Sequence, residues 1–107
     1  MSELWNYASA AKVEDVEIGA AVAVEVEGVR IAVFNVDGMF YATDEICSHA
    51  YASLAEGFLS EDTVECPLHG ACFSVKTGEA LSAPATEPIA TYPVRVEQGE
   101  IFVGLPL

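Results

Sequence analysis

Hydrophobic and polar residues alternate in short runs along most of the chain. Trp5 to Ala8 can form a short strand, and Ala10 to Val16 fits one helical turn closed by Gly19. The run Ala20–Val26 places Val22, Val24 and Val26 on one face of a strand. Glu27-Gly28 is a tight turn. Val29–Asn35 follows as a strand with Val29, Ile31, Val33 and Asn35 on one side. Val36-Asp37-Gly38 is a hairpin signal, after which Met39–Thr43 returns. The C-terminal end repeats the theme, with Thr91–Val96, the turn Glu97-Gln98-Gly99, and Glu100–Val103. Trp5, Phe34, Phe40 and Phe102 are the expected core aromatics.

Residues 44 to 83 break this pattern. Phe58-Leu59 and Thr63-Val64-Glu65 read as short strands around Ser60-Glu61-Asp62, and Ala71–Val75 as another, ended by Lys76–Glu79. Ser82–Ala85 and Glu87-Pro88 read as loop. Regular sheet on both flanks predicts a scaffold, and the irregular middle predicts a site. The expectation is an all-β chain, one domain over 1–107, with an inserted subdomain at about 44–83.

Composition sharpens this picture. The chain of 107 residues is 52% hydrophobic and 20% charged, so it can bury a core. Its 17 acidic residues against 4 basic ones give a net charge of −13. That charge repels nucleic acid and anionic membranes, and favours basic protein partners with salt-sensitive association. It also serves solubility alone. No apolar run approaches the ~20 residues of a membrane span, and no signal peptide is evident at Met1–Asn6. A cytoplasmic location is expected. Three cysteines cannot all pair within one chain, which in a reducing compartment favours metal ligation.

The middle segment supplies the ligands. Cys47-Ser48-His49 and Cys66-Pro67-Leu68-His69 are separated by 16 residues, and together use both histidines of the chain. Two Cys and two His suit tetrahedral zinc. Zinc modules, however, usually pair Cys with Cys and His with His. Mixed loops suit a diiron cluster in which one iron takes both thiolates and the other both imidazoles.

The spacing C-x-H-x₁₆-C-x₂-H, within Cys47–Gly57 and Glu65–Gly70, resembles the Rieske-type [2Fe-2S] ferredoxins of bacterial ring-hydroxylating dioxygenase systems. The similarity extends to the Val36-Asp37-Gly38 hairpin and the Thr77-Gly78 turn. It implies a Rieske fold, with an antiparallel β-sandwich scaffold and a cluster-binding subdomain. It also implies that Cys47 and Cys66 bind the inner iron, and His49 and His69 the outer one. Ser82-Ala83-Pro84 matches the family's covering loop. High-potential Rieske proteins carry a loop-bridging cysteine pair where this chain has Ala52 and Leu68. They carry sulfur-bonding hydroxyls where it has Ala71 and Phe73. The resemblance therefore implies a potential near the low end of the Rieske range, on the order of −150 mV.

Two ferric irons, two sulfides, two thiolates and two imidazoles sum to zero charge, so one added electron gives −1. The electron is expected on the histidine-bound iron, and exposed imidazole N–H groups should titrate with oxidation state at alkaline pH. No open ligand position remains for substrate, and no third histidine exists to build a mononuclear oxygenase iron. The implied role is an electron carrier and not an enzyme. It would run from an NAD(P)H-dependent flavin reductase to a terminal oxygenase acting on aromatic compounds. Rieske-type small subunits of nitrite reductases are an alternative. A structural zinc module is another, and a Cys72 thiol enzyme lacks a free histidine as base. Cys72 is expected as a buried small hydrophobe, and Tyr51 at a docking tip. Asp44-Glu45 and Glu61-Asp62 could be docking charges or solvated turns.

Overall fold

The computed structural model describes residues 5–48, 51–68, 70–83 and 87–107. Among these, regular structure is antiparallel strand with two short 3₁₀ turns. Strands β1 (Trp5–Lys12), β10 (Glu100–Pro106) and β9 (Val94–Glu97) form one sheet in the order β1-β10-β9. Strands β2 (Ala21–Val26), β3 (Val29–Val36), β4 (Met39–Asp44) and β8 (Thr91–Tyr92) form a second in chain order. A third sheet of β5 (Phe58–Ser60), β6 (Thr63–Glu65) and β7 (Cys72–Ser74) lies in the segment set apart by its irregular pattern.

The turns follow from local chemistry. Glu27-Gly28, Asp37-Gly38 and Gln98-Gly99 each place two successive residues at positive φ, the requirement of a tight two-residue hairpin. The Asn35 side chain supports the second of these. Its Oδ1 accepts from the Gly38 amide at 2.8 Å, while its Nδ2 donates to the Val16 carbonyl at 2.7 Å. Asn35 thus satisfies its buried polar atoms against backbone.

The first strand departs from the sequence expectation. It runs through Lys12, and only Val13–Asp15 turn as a 3₁₀ helix. Ala10 and Ala11 stay extended because β10 offers a long partner, with a register shift between Ser9 and Ala11 absorbing the twist. At the other end, the expected strand Thr91–Val96 is split at Pro93. β8 pairs with β4, whereas β9 pairs with β10. Proline cannot donate to a ladder, so the chain changes sheets there.

Two apolar cores share β3. Ile31 and Val33 pack with Val16, Val26, Ile101 and Val103 between the first two sheets. Ala32 and Phe34 face the other way and pack with Leu54, Val64, Ala71 and Phe73. Of the expected core aromatics, Phe34 is fully buried, while Trp5, Phe40 and Phe102 are only half-buried. Phe73, not among the expected core aromatics, is the second fully buried aromatic.

Candidate metal centre

Both cysteines of the motif stand at the same structural position, the first residue after a paired segment. The Cys47 amide donates to the Ala52 carbonyl at 3.0 Å, beside a bridge between Ile46 and Ser53. The Cys66 amide donates to the Ala71 carbonyl at 2.7 Å, continuing the pairing of Glu65 with Cys72. Each loop is closed by a bond from its cysteine to the residue five positions on. Loop one leaves β4 and returns through the turn Leu54–Glu56, with Leu54 fully buried beneath it. Loop two joins β6 to β7.

The loops meet through glycine. A Cβ on Gly57 would lie 2.2 Å from the Glu65 carbonyl oxygen, so only glycine lets the end of loop one rest on β6 beside Cys66. A third segment edges β7: the Leu81 amide donates to the Cys72 carbonyl at 2.8 Å, and Ser82 Oγ accepts from the Cys72 amide at 3.2 Å. The Ser48 hydroxyl donates to the Glu87 carbonyl at 2.7 Å, tying loop one to the far side of this segment.

Cys47 and Cys66 are buried in the core of Phe34, Leu54, Val64 and Phe73. Burial pushes the Cys66 thiol up, the Leu68 amide donating to it opposes this, and the adjacent Cys47 side chain raises it further. Two thiols side by side in an apolar setting are costly as thiolates unless a cation binds them. This donor chemistry fits a metal. The buried Ser53 hydroxyl also has no partner among the described residues. His49 and His69 lie outside the described residues, as does Pro84 of the expected covering loop. Their described neighbours Ser48, Tyr51, Pro67 and Leu68 are exposed.

Ala71 and Phe73 are fully buried and carry no hydroxyl. Ala52 and Leu68 offer no bridge between the loops. Cys72 is half-buried, with its Sγ 3.6 Å from the Gly70 carbonyl. Tyr51 stands on loop one with 80% of its surface exposed.

The acidic pair Asp44-Glu45 is engaged within the fold instead of forming a solvated turn. Asp44 accepts from the Tyr92 hydroxyl at 2.7 Å and from the Ala90 amide at 3.1 Å, and burial followed by this bond pushes Tyr92 up to about 12. Glu45 is buried, and its Oε1 receives the Arg30 Nε at 2.8 Å. Arg30 Nη1 also donates to the Tyr51 hydroxyl at 3.3 Å. Nothing local in the sequence points to this group, because its members come from β3 and two parts of loop one.

Residues 6–93 match the family described as Rieske [2Fe-2S] domain. The 3-phenylpropionate/cinnamic acid dioxygenase ferredoxin subunit of Escherichia coli (strain K12) is 54% identical over 102 residues, covering 94% of this chain and 95% of that protein. A ferredoxin of Sphingomonas yanoikuyae B1 superposes with a TM-score of 0.89 at 39% identity, covering 94% of this chain and all of the other. A chain from the complex of reduced oxygenase and oxidized ferredoxin in carbazole 1,9a-dioxygenase superposes at 0.86 with 38% identity, covering 92% of each. A nitrite reductase small subunit from Mycobacterium tuberculosis shares the fold at 0.87, but with 22% identity it carries no more than the fold.

Proposed function

Because the chain belongs to the Rieske [2Fe-2S] family, we propose that Cys47 and Cys66 hold the inner iron of its cluster and His49 and His69 the outer one. The protein is a ferredoxin, the electron-transfer component of a ring-hydroxylating dioxygenase system and not itself the catalyst. When bound, the cluster supplies reversible one-electron chemistry.

The observation that carries the ligand assignment is the matched pair of loops. Equivalent closures place Cys47 and Cys66 side by side at the top of the core. Burial excludes water from both sulfurs, and the Leu68 amide stabilises charge on one of them. Ala71 and Phe73 add no hydroxyl donor, so charge on the sulfurs is stabilised less than in high-potential relatives. This supports a potential near the low end of the Rieske range, on the order of −150 mV. The exposed Tyr51, Leu68 and Leu81 come from the three segments around the site and can exclude water under a docked protein.

The terminal oxygenase is one partner. We assign the other as an NAD(P)H-dependent flavin reductase, and place the chain in the cytoplasm as one domain with its cluster-binding part at about 44–83. No helix among the described residues is long and apolar enough to cross a membrane. The relatives named for 3-phenylpropionate and cinnamic acid make that class of oxygenase the first to test.

Iron and acid-labile sulfide assays with electron paramagnetic resonance of the reduced protein test the cluster. The expected result is two irons and two sulfides per chain with a Rieske signal. Zinc without iron or sulfide sinks the assignment. Reduction by candidate reductases, followed by coupling to candidate oxygenases, tests the partners.

A further inference from the structure

We propose that Arg30 is a positioning residue that tunes the reduction potential through Glu45, with Tyr51 seating its guanidinium against the first cluster loop. The inference rests on the cluster reading above.

Glu45 stands two residues before Cys47 and is 4% exposed, the buried carboxylate among the described residues. Its backbone is fixed on both sides: its amide donates to the Arg30 carbonyl at 3.2 Å and its carbonyl accepts from the Leu54 amide at 2.7 Å. The charge therefore holds a set place relative to Cys47. A buried carboxylate persists only with a compensating partner, and Arg30 Nε supplies it at 2.8 Å.

Arg30 had another choice. Glu25 lies directly opposite it across the β2–β3 ladder, and Glu25 is exposed. The ion pair recorded for Arg30 is with Glu45. The Tyr51 hydroxyl, accepting from Nη1 at 3.3 Å, holds the other side of the guanidinium. The other cations stand elsewhere. Lys76 sits by Asp62 and the Tyr41 ring, Arg95 lies over Tyr7, and Lys12 stands beside the β9–β10 turn.

The two charges are not equally screened. The Glu45 side chain is 6% exposed and that of Arg30 53%. Water weakens the field of Arg30 more than that of Glu45. The pair therefore leaves a net negative field at the neighbouring sulfurs, which opposes addition of an electron. Loss of either partner breaks the same ion pair, but the two losses change the field with opposite signs.

Potentiometric titration of the loaded protein at pH 7 tests this. E45Q is expected to shift the reduction equilibrium about tenfold toward the reduced form, about 59 mV for one electron. R30Q is expected to shift it less, about threefold, toward the oxidised form, because water screens Arg30 more than Glu45. R30K, which keeps the charge, and R30Q/E45Q, which removes both charges, should stay within about threefold of wild type. Y51F changes no charge and should also leave it in place.

Shifts of the same sign in E45Q and R30Q overturn the proposal, because a purely structural brace gives that result. So do unchanged potentials in both, or a Y51F shift as large as that of R30Q. Where R30Q does not load, E45Q and R30Q/E45Q decide, since neither buries an unpaired charge: E45Q must shift the equilibrium further toward the reduced form than R30Q/E45Q does, and equal shifts overturn the proposal. A wild-type protein without a Rieske signal overturns the cluster reading and this inference with it. A wild-type signal with unmoved variants overturns this inference alone.

Discussion

Replacing Gly57 by alanine separates the packing of the two cluster loops from everything else. The backbone there has φ −82° and ψ −169°, a conformation open to any residue. Conformational strain therefore contributes nothing, and the whole effect is steric. The added Cβ would lie 2.2 Å from the Glu65 carbonyl oxygen and 3.2 Å from the Leu54 carbonyl oxygen. Both contacts are with backbone, which cannot rotate aside. Loop one and β6 must separate by about 1 Å, and overpacking of this kind costs about 1–3 kcal/mol. The displaced strand leads directly into Cys66, and the displaced loop contains Cys47. A cluster held by both loops tolerates less movement than an apolar contact does. Gly57→Ala should therefore lose iron out of proportion to its loss of stability. Iron per chain and the urea midpoint measure the two effects. Ile31→Val, expected to cost about 0.5–1.5 kcal/mol in the other core, is the control that should keep its iron. Full iron content and wild-type stability in Gly57→Ala would refute the reasoning.

Three further outcomes follow from the geometry. Tyr92 is raised from 10.0 to about 12, so the unfolded chain loses this proton first as pH rises. Stability is therefore fully present below pH 10 and declines as pH rises toward about 12; urea denaturation across that window should show a smaller decline in Tyr92→Phe. Phe73→Ala empties a fully buried site beneath loop two and should cost about 3–5 kcal/mol by denaturant titration; a cost under about 1 kcal/mol contradicts its place in the core. Ala71→Ser and Phe73→Tyr supply hydroxyls at the positions occupied by sulfur donors in high-potential relatives. The potential should move positive, and loaded variants with an unmoved potential would remove this explanation of a low value.

Much of the scaffold was legible because its signals are local. The pairs Glu27-Gly28, Asp37-Gly38 and Gln98-Gly99 announce turns, and the valines of β2 alternate as a half-buried strand must. The proposed cluster loops stand out in the sequence for a different reason: two Cys and two His at this spacing have few other uses. What escaped depends on partners distant in sequence. Ala10 and Ala11 carry no turn signal against a helix, and only β10 draws them into a strand. The split at Pro93 reflects two different sheets competing for one run of residues. Glu45 reads as half of an acidic turn until Arg30, fifteen residues earlier, is brought beside it. Gly57 looks like a loop glycine, and its purpose is visible only when Glu65 lies against it.

The shared strand β3 has a consequence for how the molecule breathes. Ala32 and Phe34 belong to the core that seats the cysteines, while Ile31 and Val33 belong to the scaffold, yet one strand, paired on both edges, carries all four. An opening that pulls β3 out of the sheet releases both pairs of amides together. A ligand bound to the native state slows every opening that destroys its site. Iron occupancy should therefore be readable in deuterium uptake at Ile31 and Val33, residues whose side chains face away from it.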